Sequence, residues 1–219
     1  MRTRFEGPKT GADRAVLLAH GAGTDLDAPP LKVVASALAA AGIPSLRFNF
    51  PYRDADRKAP DRAPVLMTGV REAADRLGTR TGLAPARLVL GGRSMGGRMC
   101  SMVVGAEPDE VRPDAGPRPA LGLLLLGYPL HPAGHPEKVR DEHFPRLRVP
   151  CLFVSGTRDA LAGRDELPGA VRAINGPVEL HWLESADHGY RPLKASGMTP
   201  AYVLDEVAHV STKWVQSLR

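Results

Sequence analysis

The 219-residue sequence lacks the features that mark several specialised classes of protein. Its two cysteines, Cys100 and Cys151, are too few for a disulfide framework, and both fall inside predicted core elements, where cysteine packs as a small apolar residue. No apolar run approaches the roughly 20 residues that a membrane span requires. The basic N-terminus is not followed by the apolar stretch of a secretory signal, so we expect a cytoplasmic protein.

Aromatic residues are also scarce, at 5%, although the formal net charge is +5. A positive charge of this kind raises the possibility of nucleic acid or of an acidic substrate. The arginines, however, are scattered along the chain rather than clustered in a stripe, and the aromatic side chains that would stack on bases are few. We therefore expect neither a nucleic-acid partner nor a membrane surface, and the sequence leaves the oligomeric state open.

What the sequence does contain is a regular alternation of short apolar segments with amphipathic ones. The apolar segments predict strands, and the segments with apolar residues at helical spacing predict helices. The predicted strands lie at 15–19, 43–50, 87–92, 120–129, 151–154 and 177–184, and the predicted helices at 29–42, 63–82, 95–106 and 199–218. This order indicates an α/β fold, a three-layer doubly wound and mostly parallel sheet, which we expect to form a single domain over residues 1–219.

The stretch Gly92-Arg93-Ser94-Met95-Gly96 stands between a predicted strand and a predicted helix. This G-x-S-x-G pattern is typical of a tight turn that presents a nucleophilic serine. The alternative is a glycine-rich turn in which Ser94 only caps the helix, since serine is a favoured N-cap. A phosphate-binding loop is excluded, because no Lys-Ser or Lys-Thr pair follows the glycines.

Two further loops at predicted strand ends supply an acid and a base. Asp159 follows one strand and His188 follows the last, so the chain order is serine, aspartate, histidine, as in α/β-hydrolase triads. In that arrangement His188 accepts the serine proton and Asp159 orients the imidazole ring. Asp187 adjoins His188 and is expected to point elsewhere, which leaves Glu184 as the nearest substitute acid.

A fourth loop, Ala19 to Gly23, follows the first predicted strand and supplies candidate oxyanion donors. Acyl transfer requires two preorganised N–H groups for the tetrahedral intermediate, one from the residue after the nucleophile and one from an early loop. Met95 and Ala22 are the expected donors, with Gly23 as the alternative to Ala22. His20 is expected to brace this loop rather than to take part in the chemistry.

The segments AHGAG, RFNFPYR, GGRSMGGR, GYPLHP, LFVSGTRD and ADHGYR together resemble the α/β-hydrolase superfamily, in particular its small dienelactone-hydrolase-like members. Among these the sequence is most similar to predicted hydrolases related to a regulatory subunit of the non-specific-lethal acetyltransferase complex. The resemblance implies a triad of Ser94, Asp159 and His188, with Ala22 and Met95 as oxyanion donors. Dienelactone hydrolases use a cysteine nucleophile, so Ser94 does not support a lactone substrate.

Several other residues are expected to border the site or to play a structural part. Tyr52, Arg53 and Tyr128 leave strands at the same sheet edge and are candidate substrate contacts. Arg93 and Arg98 flank the nucleophile and could attract an acidic substrate, but we expect them to pair with nearby carboxylates. A set of loop histidines, His131, His135 and His143, has no metal-binding spacing and is expected to be solvated.

The sequence therefore predicts a serine hydrolase of carboxylic ester or related acyl bonds of small substrates, acting without metal or organic cofactor. The connection between the strands at 120–129 and 151–154 is too short for a full lid domain. Two alternatives stay open: a non-catalytic scaffold that acts through protein contacts, and an acyltransferase that forms the same acyl-enzyme.

Overall fold

Seven strands form one sheet in a computed structural model that describes residues 1–109 and 115–219. The strand order is β1-β3-β2-β4-β5-β6-β7. The strands are β1 Thr3–Glu6, β2 Ala15–Ala19, β3 Ser45–Phe48, β4 Leu88–Arg93, β5 Gly122–Leu126, β6 Cys151–Arg158 and β7 Val178–Asp187. All neighbouring pairs are parallel except β1 and β3. The predicted connection after residue 106 lies partly outside the described residues.

In the described part of the chain, six α-helices accompany the sheet. They are α1 Pro29–Ala40, α2 Pro51–Asp54, α3 Ala63–Thr81, α4 Met95–Val104, α5 Leu167–Ala170 and α6 Pro200–Ser217. Thr199 caps α6, because its hydroxyl accepts a hydrogen bond from the Tyr202 amide at 3.1 Å. Within the described ranges, no helix is both long and apolar enough to cross a membrane.

The core consists of two apolar layers, one on each face of the sheet. Along β2, Leu17 packs in the layer under α3 and α4, whereas Val16 and Leu18 pack in the layer under α1 and α6. Because successive strand residues point to opposite faces, a strand covered on both sides must be apolar throughout. Full burial of each leucine contributes about 1.5–3 kcal/mol to folding. The three-layer α/β prediction is confirmed.

The free cysteines Cys100 and Cys151 are both buried, as expected. The polar N-terminal segment, in contrast, contains a strand that the sequence pattern did not predict. β1 pairs antiparallel with β3 at the sheet edge, and Glu6 forms an ion pair with Arg47 of β3. This strand is recognisable only from its partner, because its alternation of charged and apolar residues is too short to separate from a polar loop.

Between β5 and β6 the chain contains only a single 3₁₀ turn, Phe144–Arg146, among its regular elements. This part of the chain therefore carries no lid domain, in agreement with the prediction. The carboxyl ends of β2, β4, β6 and β7 meet at one edge of the sheet, which is where ligands bind in open parallel sheets.

Candidate active site

Ser94 occupies the sharp turn between β4 and α4. Its backbone angles, φ 50° and ψ −116°, lie in a region that non-glycine residues rarely adopt, and such a conformation costs about 1–3 kcal/mol. The turn is held by the Ser94 amide, which donates to the Leu126 carbonyl at 2.8 Å. A strained residue of this kind persists only where the surrounding structure fixes it, and this turn lifts the Ser94 side chain beyond the strand.

The glycines on either side of Ser94 are required by the close approach of β2. A Cβ atom on Gly92 would lie 2.1 Å from the Ala19 carbonyl oxygen, and one on Gly96 would lie 2.4 Å from the same oxygen. Both distances are far inside van der Waals contact. The glycines therefore let the first turn of α4 sit against the end of β2, next to the predicted oxyanion loop.

His188 joins Ser94 to Asp159 in a continuous hydrogen-bonded chain. The Ser94 Oγ lies 2.9 Å from His188 Nε2, and His188 Nδ1 lies 2.8 and 3.0 Å from the two carboxylate oxygens of Asp159. A carboxylate only accepts, so Nδ1 carries the proton and Nε2 is left to accept the Ser94 hydroxyl proton. This is the arrangement in which a serine hydroxyl is activated as a nucleophile.

The acid of this chain is fixed by burial and by its own loop. The Asp159 side chain is fully buried, and Oδ1 also accepts the Leu161 amide at 2.9 Å. The two neighbouring acids are engaged elsewhere: Asp187 accepts the Gly189 and Arg191 amides, and Glu184 forms an ion pair with Arg164 at 3.3 Å. Of these three carboxylates, only that of Asp159 is bonded to His188.

The loop after β2 carries the candidate oxyanion donors. Met95 is the first residue of α4, so its N–H has no acceptor within the helix. Ala22 and Gly23 are exposed, and Gly23 has a φ of 73°. Beside this loop, burial raises the pKa of Tyr52, and its hydroxyl is buried without a hydrogen-bond partner among the described residues.

His20 braces this loop from below. Its ring is completely buried, Nε2 accepts the Phe50 amide at 3.2 Å, and Nδ1 donates to the Gly21 carbonyl at 2.8 Å. Because Phe50 supplies the proton of the first bond, the ring must be neutral. Burial also lowers the pKa of His20, which favours the same neutral form. The ring therefore links the loops after β2 and β3, as expected from the sequence.

Comparison with known proteins shows the family of this chain. Residues 12–216 match the family model described as an alpha/beta hydrolase domain. The chain belongs to this alpha/beta hydrolase family. The match includes Ser94, Asp159, His188 and the loop after β2, so the hydrogen-bonded chain lies within the family domain.

Solved structures share the fold of this hydrolase at low sequence identity. A serine hydrolase homologue from Coxiella burnetii superposes with a TM-score of 0.69 at 16% identity, over 96% of this chain and 89% of that one. Dienelactone hydrolase from Anabaena variabilis superposes with a TM-score of 0.69 at 21% sequence identity, over 99% of this chain and 92% of that one. An esterase domain from a Rhodothermus marinus protein superposes with a TM-score of 0.68 at 18% sequence identity, over 99% of this chain and 92% of that one. At these identities the likeness concerns the fold.

The hydrolase contains a second serine–histidine pair, which the sequence analysis missed. Ser101 Oγ lies 2.8 Å from His143 Nε2 and 2.8 Å from the Arg98 carbonyl oxygen, inside α4. Ser101 is fully buried, and burial lowers the pKa of His143 to about 4. His143 has no carboxylate bonded to it in the described part of the chain. This pair lacks both the acid and the access that Ser94 has, and no sequence motif marks it.

The predicted substrate contacts differ in their exposure. Tyr52 and Tyr128 are both fully buried, and the Tyr128 hydroxyl donates to the Arg140 carbonyl at 2.7 Å. Arg53, in contrast, is only partly buried. Of these three predicted contacts, only the side chain of Arg53 is partly exposed to solvent, where a substrate could reach it.

The expectation that Arg93 and Arg98 form ion pairs is wrong for the described chain. Arg93 is buried, donates to the Leu126 and Gly127 carbonyls at 3.2 and 3.3 Å, and stacks on the Tyr190 ring. Arg98 has no carboxylate partner, and its Nε is buried without a hydrogen bond. The sequence pattern gave no way to distinguish carbonyls and rings from carboxylates as partners.

The expectation of solvated loop histidines holds only for His135, which is exposed and lies 3.1 Å from a Glu137 oxygen. His131 and His143 are buried. His131 Nε2 lies 3.2 Å from Glu166 Oε2 and Nδ1 lies 2.9 Å from the Pro132 carbonyl, and both hydrogen bonds raise its pKa. Glu166 thus holds the ring of His131 and Ser101 holds that of His143, and the sequence reveals neither partner.

A cavity of about 980 Å³ lies between α3 and α4, on the side of Met67, Met102 and His143. None of the triad residues lines it. We place the candidate site at Ser94 rather than at this cavity because of the hydrogen-bond geometry of Ser94, His188 and Asp159.

Proposed function

We propose that this alpha/beta hydrolase cleaves carboxylic ester or related acyl bonds of small substrates through an acyl-enzyme on Ser94. The observation that carries the proposal is the hydrogen-bonded chain from Ser94 through His188 to the buried Asp159, with distances of 2.9 and 2.8 Å. Asp159 accepts the proton of His188 Nδ1, so Nε2 is free to accept the proton of Ser94, as proton transfer from serine requires.

In the first half of the reaction, His188 Nε2 takes the Ser94 proton as Oγ attacks the substrate carbonyl carbon. The oxygen of the tetrahedral intermediate is bound by the N–H groups of Ala22 and Met95, and the Gly23 amide is the alternative to Ala22. When the intermediate collapses, the bond between the acyl carbon and the alcohol oxygen breaks, and the leaving alcohol takes the proton from His188. Asp159 stays ionised and stabilises the transient imidazolium.

In the second half, a water molecule gives its proton to His188 and attacks the acyl-enzyme carbonyl. The new intermediate releases the carboxylic acid, and the proton returns to Ser94 Oγ. No step requires a metal or an organic cofactor. An acyltransferase would use the same acyl-enzyme with another acceptor in place of water.

Two features of the site support small or surface-presented acyl groups. No lid domain separates β5 from β6 in the described chain, and the oxyanion loop at Ala22 and Gly23 is exposed. Arg53 is a proposed substrate contact on the same side. A scaffold without catalysis is not favoured, because protein contacts give no reason to hold Ser94 in a strained backbone conformation beside an oriented imidazole.

The test is labelling of the purified protein with a fluorophosphonate probe, together with hydrolysis of 4-nitrophenyl butyrate. We expect the wild type to label and to hydrolyse the ester, and Ser94→Ala and His188→Ala to lose both activities. Ser101→Ala is the matched control, because Ser101 also lies 2.8 Å from a histidine nitrogen but is buried and lacks the acid. A folded wild type that neither labels nor hydrolyses esters would contradict the proposal.

A further inference from the structure

Four arginines in the described chain have a buried Nε without a hydrogen-bond partner: Arg47, Arg53, Arg98 and Arg118. Two of them, Arg47 and Arg118, are neutralised through their other nitrogens by carboxylates. Arg53 and Arg98 have no carboxylate within ion-pair distance among the described residues. The guanidinium group is always charged, so these two sites hold a partly desolvated positive charge without a counter-ion.

Both unpaired arginines stand at the catalytic edge of the sheet. Arg98 lies in the first turn of α4, where its amide donates to the Ser94 carbonyl at 3.0 Å. Arg53 lies in α2, directly after β3, and its NH1 makes only a long contact of 3.4 Å with the Arg57 carbonyl. The two arginines that are paired lie elsewhere, in β3 and near α3, so of these four the two without a carboxylate are the two at the edge that carries Ser94.

The surroundings of Arg98 hold charges of both signs, since Arg140 and the acids Asp141 and Glu142 all lie in the same segment, but in the described chain no carboxylate forms an ion pair with Arg98. Arg140 is close enough for Arg98 to lower its pKa, after the larger effect of burial, and Arg98 and Arg146 act in the same direction on His143. Glu142 acts on Arg140 in the opposite direction, but it is exposed and forms no ion pair with either arginine in the described chain. An anionic ligand at this edge would supply the missing counter-ion through charge-assisted hydrogen bonds.

We propose that the substrate carries a carboxylate, and that Arg98 together with Arg53 binds it while the ester carbonyl lies at Ser94. This inference rests on the proposed function, since it names the substrate class of the same site. A hydrogen bond between charged partners contributes about 1.5–3 kcal/mol, which corresponds to roughly a ten- to hundredfold preference over a neutral analogue.

The experiment compares two pairs of substrates by kcat/KM. In the first pair the charge is on the acyl half: the mono-4-nitrophenyl ester of adipic acid against 4-nitrophenyl hexanoate, which has the same chain length. In the second pair the charge is on the alcohol half: 4-acetoxybenzoate against its methyl ester. The readout is the ratio of kcat/KM for the charged and neutral members, measured for wild type, Arg98→Gln, Arg53→Gln and the control Arg172→Gln. Arg172 is exposed and lies before β7, away from the triad edge.

We expect the ratio for one of the two pairs to fall about tenfold or more in Arg98→Gln or Arg53→Gln and to stay unchanged in Arg172→Gln. The pair that responds shows which half of the substrate is bound. In the wild type the same ratio should fall as salt is raised from about 50 to about 500 mM, which requires no variant to fold.

Equal ratios in wild type and in both variants, without salt dependence, would overturn the inference. If fluorophosphonate labelling and neutral-ester hydrolysis persist in that case, the proposed function stands and only the substrate class is wrong. If the wild type neither labels nor hydrolyses any of the four esters, the proposed function fails and the inference fails with it. Circular dichroism of each variant checks that the fold is retained.

Discussion

Replacing Asp159 by asparagine tests the orientation of His188 directly. In the structure the Asp159 carboxylate accepts the Nδ1 proton at 2.8 and 3.0 Å, which leaves Nε2 free to accept from Ser94 at 2.9 Å. An asparagine can turn its NH₂ group toward Nδ1, and the ring proton then moves to Nε2. In that tautomer Nε2 donates to Ser94 and no longer takes its proton.

The expected fall in kcat has two causes. His188 is no longer in the tautomer that acts as a base, and the negative charge of Asp159 that stabilises the imidazolium is lost. For this type of substitution in a serine–histidine–aspartate triad, kcat falls about 10⁴-fold, which corresponds to roughly 5 kcal/mol in activation free energy. The folded state should survive, because an asparagine Oδ1 can still accept the Leu161 amide and the buried charge is removed rather than added.

The assay is steady-state hydrolysis of 4-nitrophenyl butyrate, with thermal unfolding as the check on folding. Asp187→Asn is the matched control, because Asp187 adjoins His188 but its Oδ1 accepts the Gly189 and Arg191 amides, and an asparagine keeps that acceptor. We expect the control to retain wild-type kcat. An Asp159→Asn variant with kcat near that of wild type, or an equally large loss in Asp187→Asn, would refute the assignment of the acid.

Three further predictions concern the scaffold of the site. Gly96→Ala places a Cβ 2.4 Å from the Ala19 carbonyl oxygen, so fluorophosphonate labelling should be lost and unfolding should become easier by about 1–3 kcal/mol, measured by urea denaturation. Burial lowers the pKa of His143 to about 4, against about 6.5 in the unfolded chain, so the unfolded state binds an extra proton between these values. Stability should therefore fall by roughly 2–3 kcal/mol from pH 6.5 to about 4.5, and His143→Gln should flatten that slope in urea titrations. Thr199→Ala removes the cap on α6 and should lower the free energy of unfolding by about 1 kcal/mol, whereas Thr199→Ser should not.

Sequence reasoning reached the candidate catalytic residues because each of them follows a strand. The chain order of Ser94, Asp159 and His188 predicts convergence only if all the strands are parallel and end at one edge, and the apolar character of the strands made that expectation sound. The structure then added the distances and the polarity of the hydrogen bonds, and it showed that Asp159 rather than Glu184 or Asp187 is bonded to the histidine.

The misses share one physical cause. β1 was not predicted because an edge strand of four residues owes its existence to pairing with β3. The partners of Arg93, the burial of His131 and the pairing of Ser101 with His143 likewise depend on side chains that are distant in sequence. Local propensity carries no information about such contacts.

The sequence by itself determined the layer architecture and the type of chemistry, because periodicity and glycine placement act locally: apolar strands require cover on both faces, and Gly92 and Gly96 permit the turn that presents Ser94. Only the tertiary structure decided which charges are neutralised. Arg47 and Arg118 meet carboxylates from distant segments, whereas Arg53 and Arg98 do not. That difference depends on distances of a few ångströms between elements far apart in the chain, since electrostatic interactions fall off with separation and with exposure to water.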